Sequence, residues 1–376
     1  MNPPSTILFA GGGTGGHLFP GIAVADELRR RDPSTRVVFV GTTRSVESTI
    51  VAEQGLEHRT LPVESLPTLK RNPFRFVVQN WNAWRGAIQL LKELRPAAVV
   101  GLGGYASAPI VWAASRHRIP VILIEQNLIP GRTTRLLSRF ADHVCVSFRE
   151  TISRLPKARH VVVTGNPVRA SITKLHNRTL VESRNDESST FKQKELLILG
   201  GSQGAESLNV AVMAAVKSLA GELKTWRIVH QTGPHNADRA RALYQELGLS
   251  FVVEPFFHEM EELYSRADLV ISRSGATTLS ELACAQIPSI LLPYPHAADD
   301  HQRANAQAFV DHKAAILVEH STPPERTAAN LAEALQSLID DAVSRKRMGR
   351  AAKELAHPDA AQAFANVIES AIRPVS

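Results

Sequence analysis

Short apolar runs alternate with amphipathic stretches along most of this chain, and each change of period marks a change of element. Runs at 7–10, 37–40, 98–101, 121–124, 143–147 and 161–163 predict strands. Helical spacing separates them at about 20–31, 45–54, 76–94, 107–117 and 131–139. A second series at 196–199, 226–230, 251–253, 269–271, 289–292 and 315–318 is spaced by helical patterns at about 207–220, 237–247, 259–265, 277–285 and 302–310. Such alternation builds doubly wound parallel sheets, so the chain is expected to be α/β with one sheet in each half. Residues 171–194 break the rhythm, since Glu182 to Thr190 is polar without apolar periodicity, and a linker or surface insertion is expected over 169–194. The tail from about residue 325 is helical and is interrupted by Pro358. Phe364, Val367, Ile368 and Ile372 then give a last amphipathic helix, expected to return to the first domain. The expected domains are 1–168, completed by 359–376, and 195–357.

A length of 376 residues exceeds what one hydrophobic core usually organises, which agrees with two domains. No run approaches the roughly 18 apolar residues needed to span a bilayer. Met1 to Ser5 has no basic or long apolar leader, so a cytosolic location is expected. Cys145 and Cys284 lie in apolar surroundings and are expected to be buried thiols. The net charge of +7 is uneven. Residues 1–168 carry 21 Lys and Arg against 11 Asp and Glu, while residues 169–376 carry 22 against 25. A basic first half favours a polyanion: nucleic acid, an anionic membrane or a diphosphate substrate.

The chemistry concentrates where strands end. Ile7-Leu8-Phe9-Ala10 drops into Gly11-Gly12-Gly13-Thr14-Gly15-Gly16-His17 before a helix, and Leu196 to Leu199 drops into Gly200-Gly201-Ser202-Gln203-Gly204-Ala205 before another. Glycine amides converge on phosphate oxygens without side-chain obstruction, and the following helix adds favourable partial charge. Two such loops imply two phosphorylated ligands meeting at a cleft. The alternative for the first is a dinucleotide loop, but the pattern is not GxGxxG and Val40-Gly41-Thr42-Thr43 offers no acidic residue after the second strand. Gly13, Thr14, Gly15 and Gly16 are therefore read as an anion site. His17, at the helix start where the dipole favours a neutral ring, is either a general base or a cap and positioning residue.

Tyr105 and Asn127 each follow a buried-looking strand, at the edge where α/β ligands bind, and are candidate acceptor contacts. Glu125 is a weaker candidate base. Arg169 is read as a cation for a ligand diphosphate or as an interdomain ion pair. Ser202, Gln203 and Gly204 suit that diphosphate. His296-Ala297-Ala298-Asp299-Asp300-His301 matches no metal-site spacing and is expected to be a polar loop ending in a helix N-cap, with Asp299 or Asp300 near the cap. No metal and no cofactor are expected.

Between the first-domain strands, Leu66 to Val78 and then Trp81, Trp84 and Arg85 interleave aromatic and basic residues. Leu69, Lys70, Arg71, Phe74 and Arg75 are expected to contact an anionic membrane. Val77, Trp81, Trp84 and Ile88 also form a helical stripe, of which Trp84 and Ile88 are expected to be core.

GGGTGGHLFP at 11–20, GGYASAP at 103–109, EQN at 125–127, TGNPVR at 164–169, GGSQGA at 200–205, RSGATTLSE at 273–281 and HQRANA at 301–306 occur in one order. Together they resemble the bacterial peptidoglycan N-acetylglucosaminyltransferases, over nearly the whole chain except 176–193. The resemblance implies a GT-B fold, with two Rossmann-like parallel-sheet domains facing across a cleft. It implies inverting, metal-independent transfer of N-acetylglucosamine from UDP-N-acetylglucosamine to the C4 hydroxyl of N-acetylmuramoyl-pentapeptide-pyrophosphoryl-undecaprenol. The expected place is the cytoplasmic face of the inner membrane, as a peripheral protein of cell-wall synthesis with anionic lipids and other cell-wall proteins as partners and no nucleic acid. It also implies that Glu281 binds the ribose, that Ala276, Thr277, Thr278 and Leu279 line the nucleotide, and that Gln302 and Asn305 bind the donor sugar. With it, Ser202, Gln203, Gly204 and Arg169 are candidates for the donor diphosphate, whose charge rises as its glycosidic bond breaks, Gly13 and Tyr105 for the acceptor, and Thr14, Gly15, Gly16 and Asn127 for both. The alternatives are a glycosyltransferase for another lipid or small aglycone, and a nonenzymatic nucleotide-sugar or polyanion-binding module.

Overall fold

The computed structural model describes residues 5–12, 15–42, 45–177, 193–201 and 204–372. The chain divides into two compact units, Met1–Arg169 with His357–Ser376, and Ala170–Ala356.

The first unit is built on seven parallel strands: β1 (Thr6–Gly11), β2 (Arg36–Gly41), β3 (Glu57–Thr60), β4 (Ala98–Gly103), β5 (Val121–Glu125), β6 (His143–Val146) and β7 (Val161–Val163). Their order is β3-β2-β1-β4-β5-β6-β7, so the winding reverses between β1 and β4. Alternation along β1 divides the core. Leu8 and Ala10 join Val38, Val40, Ala83, Ala87 and Ile110 on one face, while Ile7 and Phe9 join Ile22, Phe39 and Leu102 on the other. The second face is completed by the last helix, Ala360–Ile372, through buried Phe364, Ala365 and Ile368. Arg31, ending the first helix Gly15–Arg31, ties that helix down by donating to Asn366 Oδ1 at 2.7 Å and to the Gln362 carbonyl at 3.0 Å.

The second unit has six parallel strands: β8 (Lys194–Leu199), β9 (Trp226–Gln231), β10 (Ser250–Glu254), β11 (Leu269–Ser272), β12 (Ser289–Leu291) and β13 (Ala315–Leu317). The order β10-β9-β8-β11-β12-β13 reverses between β8 and β11. A cluster around Leu196, Ile198, Val212, Trp226, Ile228 and Leu335 forms its core.

Strand β3 and the helix Ala170–His176 differ from the sequence pattern, as does the short helix Leu66–Arg71. Strand β3 is unexpected, because an edge strand carries polar residues; Glu57 pairs with Arg36 at 2.8 Å and with Arg59 at 3.0 Å. The expected linker over 169–194 is corrected at its start, where Ala170–His176 is a helix of the second unit with Ile172 and Leu175 fully buried. The 178–192 part of that expectation lies outside the described residues. Cys145 and Cys284 are both buried thiols.

Candidate active site

Each glycine loop leaves the first strand of its sheet at the point where strand order reverses, which is where open α/β sheets bind ligands. In the first unit the loops after β1 and β4 are nearly in backbone contact. A Cβ on Gly11, whose φ is +137°, would lie 2.6 Å from the Gly103 carbonyl oxygen. One on Gly104, with φ +69°, would lie 3.0 Å from that of Gly12. No larger residue fits either place. His17 rises from the first turn of Gly15–Arg31 into the same spot, its ring atoms Nδ1 and Cε1 each 3.4 Å from where a Gly103 Cβ would sit. Gly13 and Thr14 lie outside the described residues.

Glu125 ends β5 and is 2% exposed. Its Oε1 accepts from the backbone N–H of Asn127 at 3.0 Å and from Asn127 Nδ2 at 3.2 Å. Its Oε2 accepts from the Gly131 N–H at 2.9 Å, at the start of the helix Arg132–Leu137. The carboxylate thus shapes the 126–131 loop, a use that accounts for an acid at this position without proton transfer. Gln126 ties the same loop back to β4 through the Leu102 carbonyl at 3.4 Å. Tyr105 opens a short 3-10 turn directly after Gly104. Gly11, Gly15, Gly16, His17, Tyr105 and Asn127 therefore share one edge of one sheet. Arg169 belongs to this unit, with its guanidinium 5.0 Å from the ring centroid of Phe19, on the helix that follows the first glycine loop.

In the second unit, Gly204 has φ +75° and a Cβ there would lie 2.8 Å from the Thr232 carbonyl, so the loop after β8 rests on the end of β9. Ser202 and Gln203 lie outside the described residues. The helix Ala276–Ala285 follows β11, with Gly275 as N-cap and no side chain capping it. Its first N–H groups are the ones that intrahelical bonds leave over. Ala276 and Leu279 are buried, Leu279 completely, whereas Thr277 and Thr278 are half-buried. Glu281, one turn inside, is 6% exposed and its Oε2 accepts from the Tyr264 hydroxyl at 2.9 Å.

The helix His301–Asp311 places Gln302 and Asn305 toward neighbouring loops of the same edge. Gln302 Oε1 accepts from the Tyr294 N–H at 2.9 Å. Asn305 is fully buried and donates to the Ser274 carbonyl at 3.3 Å, which makes it a support of the 273–275 turn. As expected, Asp299 and Asp300 lie at the start of this helix, with Asp300 at the N-cap position, although the Asp300 side chain makes no capping hydrogen bond. Both adopt left-handed backbone, φ +51° and +54°, and His301 Nδ1 instead meets the Ala298 carbonyl at 2.6 Å. Among the described residues no three His, Cys, Asp or Glu side chains gather as a metal site.

Arg273 is the residue whose role the sequence concealed. Its Nη1 donates to the carbonyls of Leu292 at 2.9 Å and Pro293 at 3.0 Å and to His320 Nε2 at 2.6 Å, while Nη2 donates to Ser207 Oγ at 2.7 Å. One guanidinium thereby joins the ends of β12 and β13 to the first turn of the helix Glu206–Ser218. Burial lowers its pKa to about 10, and burial together with the Arg273 and His296 charges keeps His320 below the ordinary imidazole range. The only signal in the sequence was its place before Ser274-Gly275 in a strand-to-helix turn.

In the stripe on the helix Pro73–Leu94, Trp84 and Ile88 are partly buried against the core as expected, and Trp84 packs on Trp112 at 5.4 Å between ring centroids. Phe74 is 79% exposed, Val77 61% and Trp81 57%, and Leu69 on the preceding short helix is also exposed. Lys70 and Arg71 are exposed, whereas Arg75 is paired with Glu64 at 2.7 Å.

Two family models cover most of the chain. Residues 7–146 match the glycosyltransferase family 28 N-terminal domain, and residues 195–364 match the family 28 C-terminal domain. The chain is 39% identical, over 98% of its length and 99% of the relative, to the UDP-N-acetylglucosamine–N-acetylmuramyl-(pentapeptide) pyrophosphoryl-undecaprenol N-acetylglucosamine transferase of Geobacter sulfurreducens. A transferase of the same name from Anaeromyxobacter sp. strain K is 39% identical, over 98% of this chain and 93% of the relative. The crystal structure of Acinetobacter baumannii MurG superposes with a TM-score of 0.77 at 31% identity, covering 98% of this chain and all of that one. Two Rossmann-like parallel-sheet domains, each with its glycine loop at the switch point, are those of a GT-B fold, and the chain belongs to glycosyltransferase family 28, among relatives that carry this transferase name.

Proposed function

We propose that this protein transfers N-acetylglucosamine from UDP-N-acetylglucosamine to the C4 hydroxyl of undecaprenyl-pyrophosphoryl N-acetylmuramoyl-pentapeptide, a step of peptidoglycan synthesis. The protein is a UDP-N-acetylglucosamine-dependent glycosyltransferase. The observation that carries the acceptor side is the close approach of the loops after β1 and β4, Gly11 to Gly103 and Gly104 to Gly12, with His17 beside Gly103. Glycine lets the two loops close at the strand ends, where a diphosphate-linked sugar binds and an imidazole stands. Asn127, held by Glu125, and Tyr105 orient the acceptor sugar.

The donor lies on the second unit. Ser202 and Gln203 and the first N–H groups of Glu206–Ser218 and Ala276–Ala285 bind its diphosphate, Glu281 accepts the ribose hydroxyls, and Gln302 contacts the sugar. Asn305 and Arg273 hold the turns that present these groups. Arg169 supplies a cation to the diphosphate. The acceptor hydroxyl attacks the anomeric carbon, His17 takes its proton, and the bond from that carbon to the UDP oxygen breaks with its electron pair remaining on UDP. Direct displacement inverts the anomeric configuration, and the charge growing on UDP is met by preorganised N–H dipoles. No metal or cofactor enters this scheme.

Leu69, Phe74, Val77 and Trp81, with Lys70 and Arg71, dock the first unit on an anionic bilayer that holds the polyprenyl tail, while Arg75 contributes less because Glu64 offsets it. Among the described residues no helix is long and apolar enough to cross a membrane, in keeping with peripheral attachment.

The test is acceptor-dependent UDP release by the wild type and by His17→Ala. A proton-accepting role requires kcat to fall by on the order of 10²-fold or more with acceptor KM little changed, and requires the acidic limb of the pH profile to disappear. Equal loss of acceptor binding and turnover would make His17 a positioning residue.

A further inference from the structure

A hydrogen-bonded chain with a fixed direction runs through the second unit to the glycine loop. Asn209 Nδ2 donates to the Thr232 carbonyl at 2.8 Å, which sets the amide and turns its Oδ1 toward His230 Nε2, 3.2 Å away. Amide oxygen only accepts, so Nε2 carries the ring proton. Nδ1 is then an acceptor, and it receives the Tyr244 hydroxyl proton at 2.9 Å. Asn209, His230, Thr232 and Tyr244 are all 0% exposed. Burial holds the His230 pKa down at about 3, so the ring stays neutral and the direction of the chain does not change near neutral pH.

The far end of this chain is the support of the loop. A Cβ on Gly204 would lie 2.8 Å from the same Thr232 carbonyl, and one on Gly200 would lie 3.4 Å from Asn209 Oδ1. The Gly200 N–H donates to the adjacent Gln231 carbonyl at 3.1 Å. An apolar filling of similar volume would pack here without the risk of unpaired groups. A buried polar chain fixes instead the orientation of one carbonyl, to which apolar packing is indifferent.

We propose that Asn209, His230 and Tyr244 are positioning residues for the donor diphosphate: they fix the Thr232 carbonyl, and through it Gly204, where the loop after β8 leads into the helix Glu206–Ser218. The inference rests on reading that loop as the diphosphate site. Replacing His230 leaves the Tyr244 hydroxyl and Asn209 Oδ1 unpaired and releases the Asn209 amide to rotate. Gly204 then loses the fixed carbonyl against which it packs.

The experiment measures UDP and uridine binding by calorimetry on the full chain, for His230→Leu, Asn209→Leu, Tyr244→Phe and Gly204→Val. His230→Leu and Asn209→Leu are expected to weaken UDP about tenfold, the worth of one or two lost hydrogen bonds, with uridine unchanged. Tyr244→Phe, which leaves His230 joined to Asn209, weakens UDP less. Equal weakening of UDP and uridine would mean general loosening and would overturn the inference, as would unchanged UDP binding. If His230→Leu does not fold, ¹⁵N-histidine spectra of the wild type decide the point, with the His230 signals identified by their loss in His230→Gln. A proton on Nε2 supports the chain, and a proton on Nδ1 overturns it. Gly204→Val separates the two levels: if it leaves UDP binding intact, the loop reading fails and the inference with it. If it abolishes binding while the other three variants bind normally, only the inference fails.

Discussion

The backbone N–H and the side-chain amide of Asn127 both donate to a single carboxylate oxygen, Oε1 of Glu125. With Oε2 accepting from Gly131, this buried group is placed to hold a ligand-facing loop. Glu125→Ala should therefore raise acceptor KM and lower stability by about 1–3 kcal/mol for the donors left unpaired. The pH profile of kcat should keep its limbs. Loss of the acidic limb with KM unchanged would instead identify Glu125 as the base.

Glu281 and Tyr264 give a second, graded expectation on the donor side. Glu281→Ala removes charged hydrogen bonds to the ribose and should weaken UDP by about 2 kcal/mol, while Tyr264→Phe removes only the partner that orients the carboxylate and should cost less. Calorimetry showing UDP affinity unchanged in Glu281→Ala would end the ribose assignment.

How much of this was legible in the sequence depends on where each partner lies along the chain. The central strands announced themselves because both faces are buried, leaving unbroken runs such as Leu196 to Leu199. Strand β3 did not, because Glu57, His58 and Arg59 read as loop until Arg36 is brought beside them. The helix Ala170–His176 was hidden for the related reason that only two of its side chains, Ile172 and Leu175, are buried hydrophobics. At the site, the glycine loops and the helix carrying Glu281 were readable from local spacing. Asn305 was singled out only by resemblance, as a donor-sugar contact, and its place as a buried support was not readable, since the Ser274 carbonyl it meets is 31 residues away. Arg273 reaches Ser207 across 66 residues and His320 across 47, and a pairing of that range leaves no periodic trace.

Membrane docking should depend on both halves of the exposed patch. Vesicle flotation with anionic lipid should show binding reduced by Lys70/Arg71→Ser and by Phe74/Trp81→Ser, the first difference shrinking at high salt. Each exposed cation is expected to contribute about 1 kcal/mol at an anionic surface. Arg75→Ser should matter less than either, because Glu64 is its partner. Wild-type binding by both double variants would place the membrane surface elsewhere.

Stability should fall on the acid side. The unfolded His230 binds a proton near pH 6.5, whereas the folded one does so only near 3. Between those values the unfolded state holds more protons, so stability is fully present above pH 6.5 and is lost as pH falls. Urea unfolding at pH 5.5 should show about 1.4 kcal/mol less stability than at pH 7.5 from His230 alone. His143, His320 and His357, also shifted down mainly by burial, add to the same trend. Equal or greater stability at pH 5.5 would contradict the neutral buried histidine.

The most direct measurement is product identity. Purified protein is incubated with UDP-N-acetylglucosamine and undecaprenyl-pyrophosphoryl N-acetylmuramoyl-pentapeptide, or a short-chain version, and the product is resolved by mass and by NMR of the anomeric proton. The account requires a disaccharide-pentapeptide carrying one added N-acetylglucosamine, β-linked to the C4 oxygen, with one UDP released per product. An α linkage, transfer to another position, or no transfer to this acceptor while other aglycones are glycosylated would contradict it.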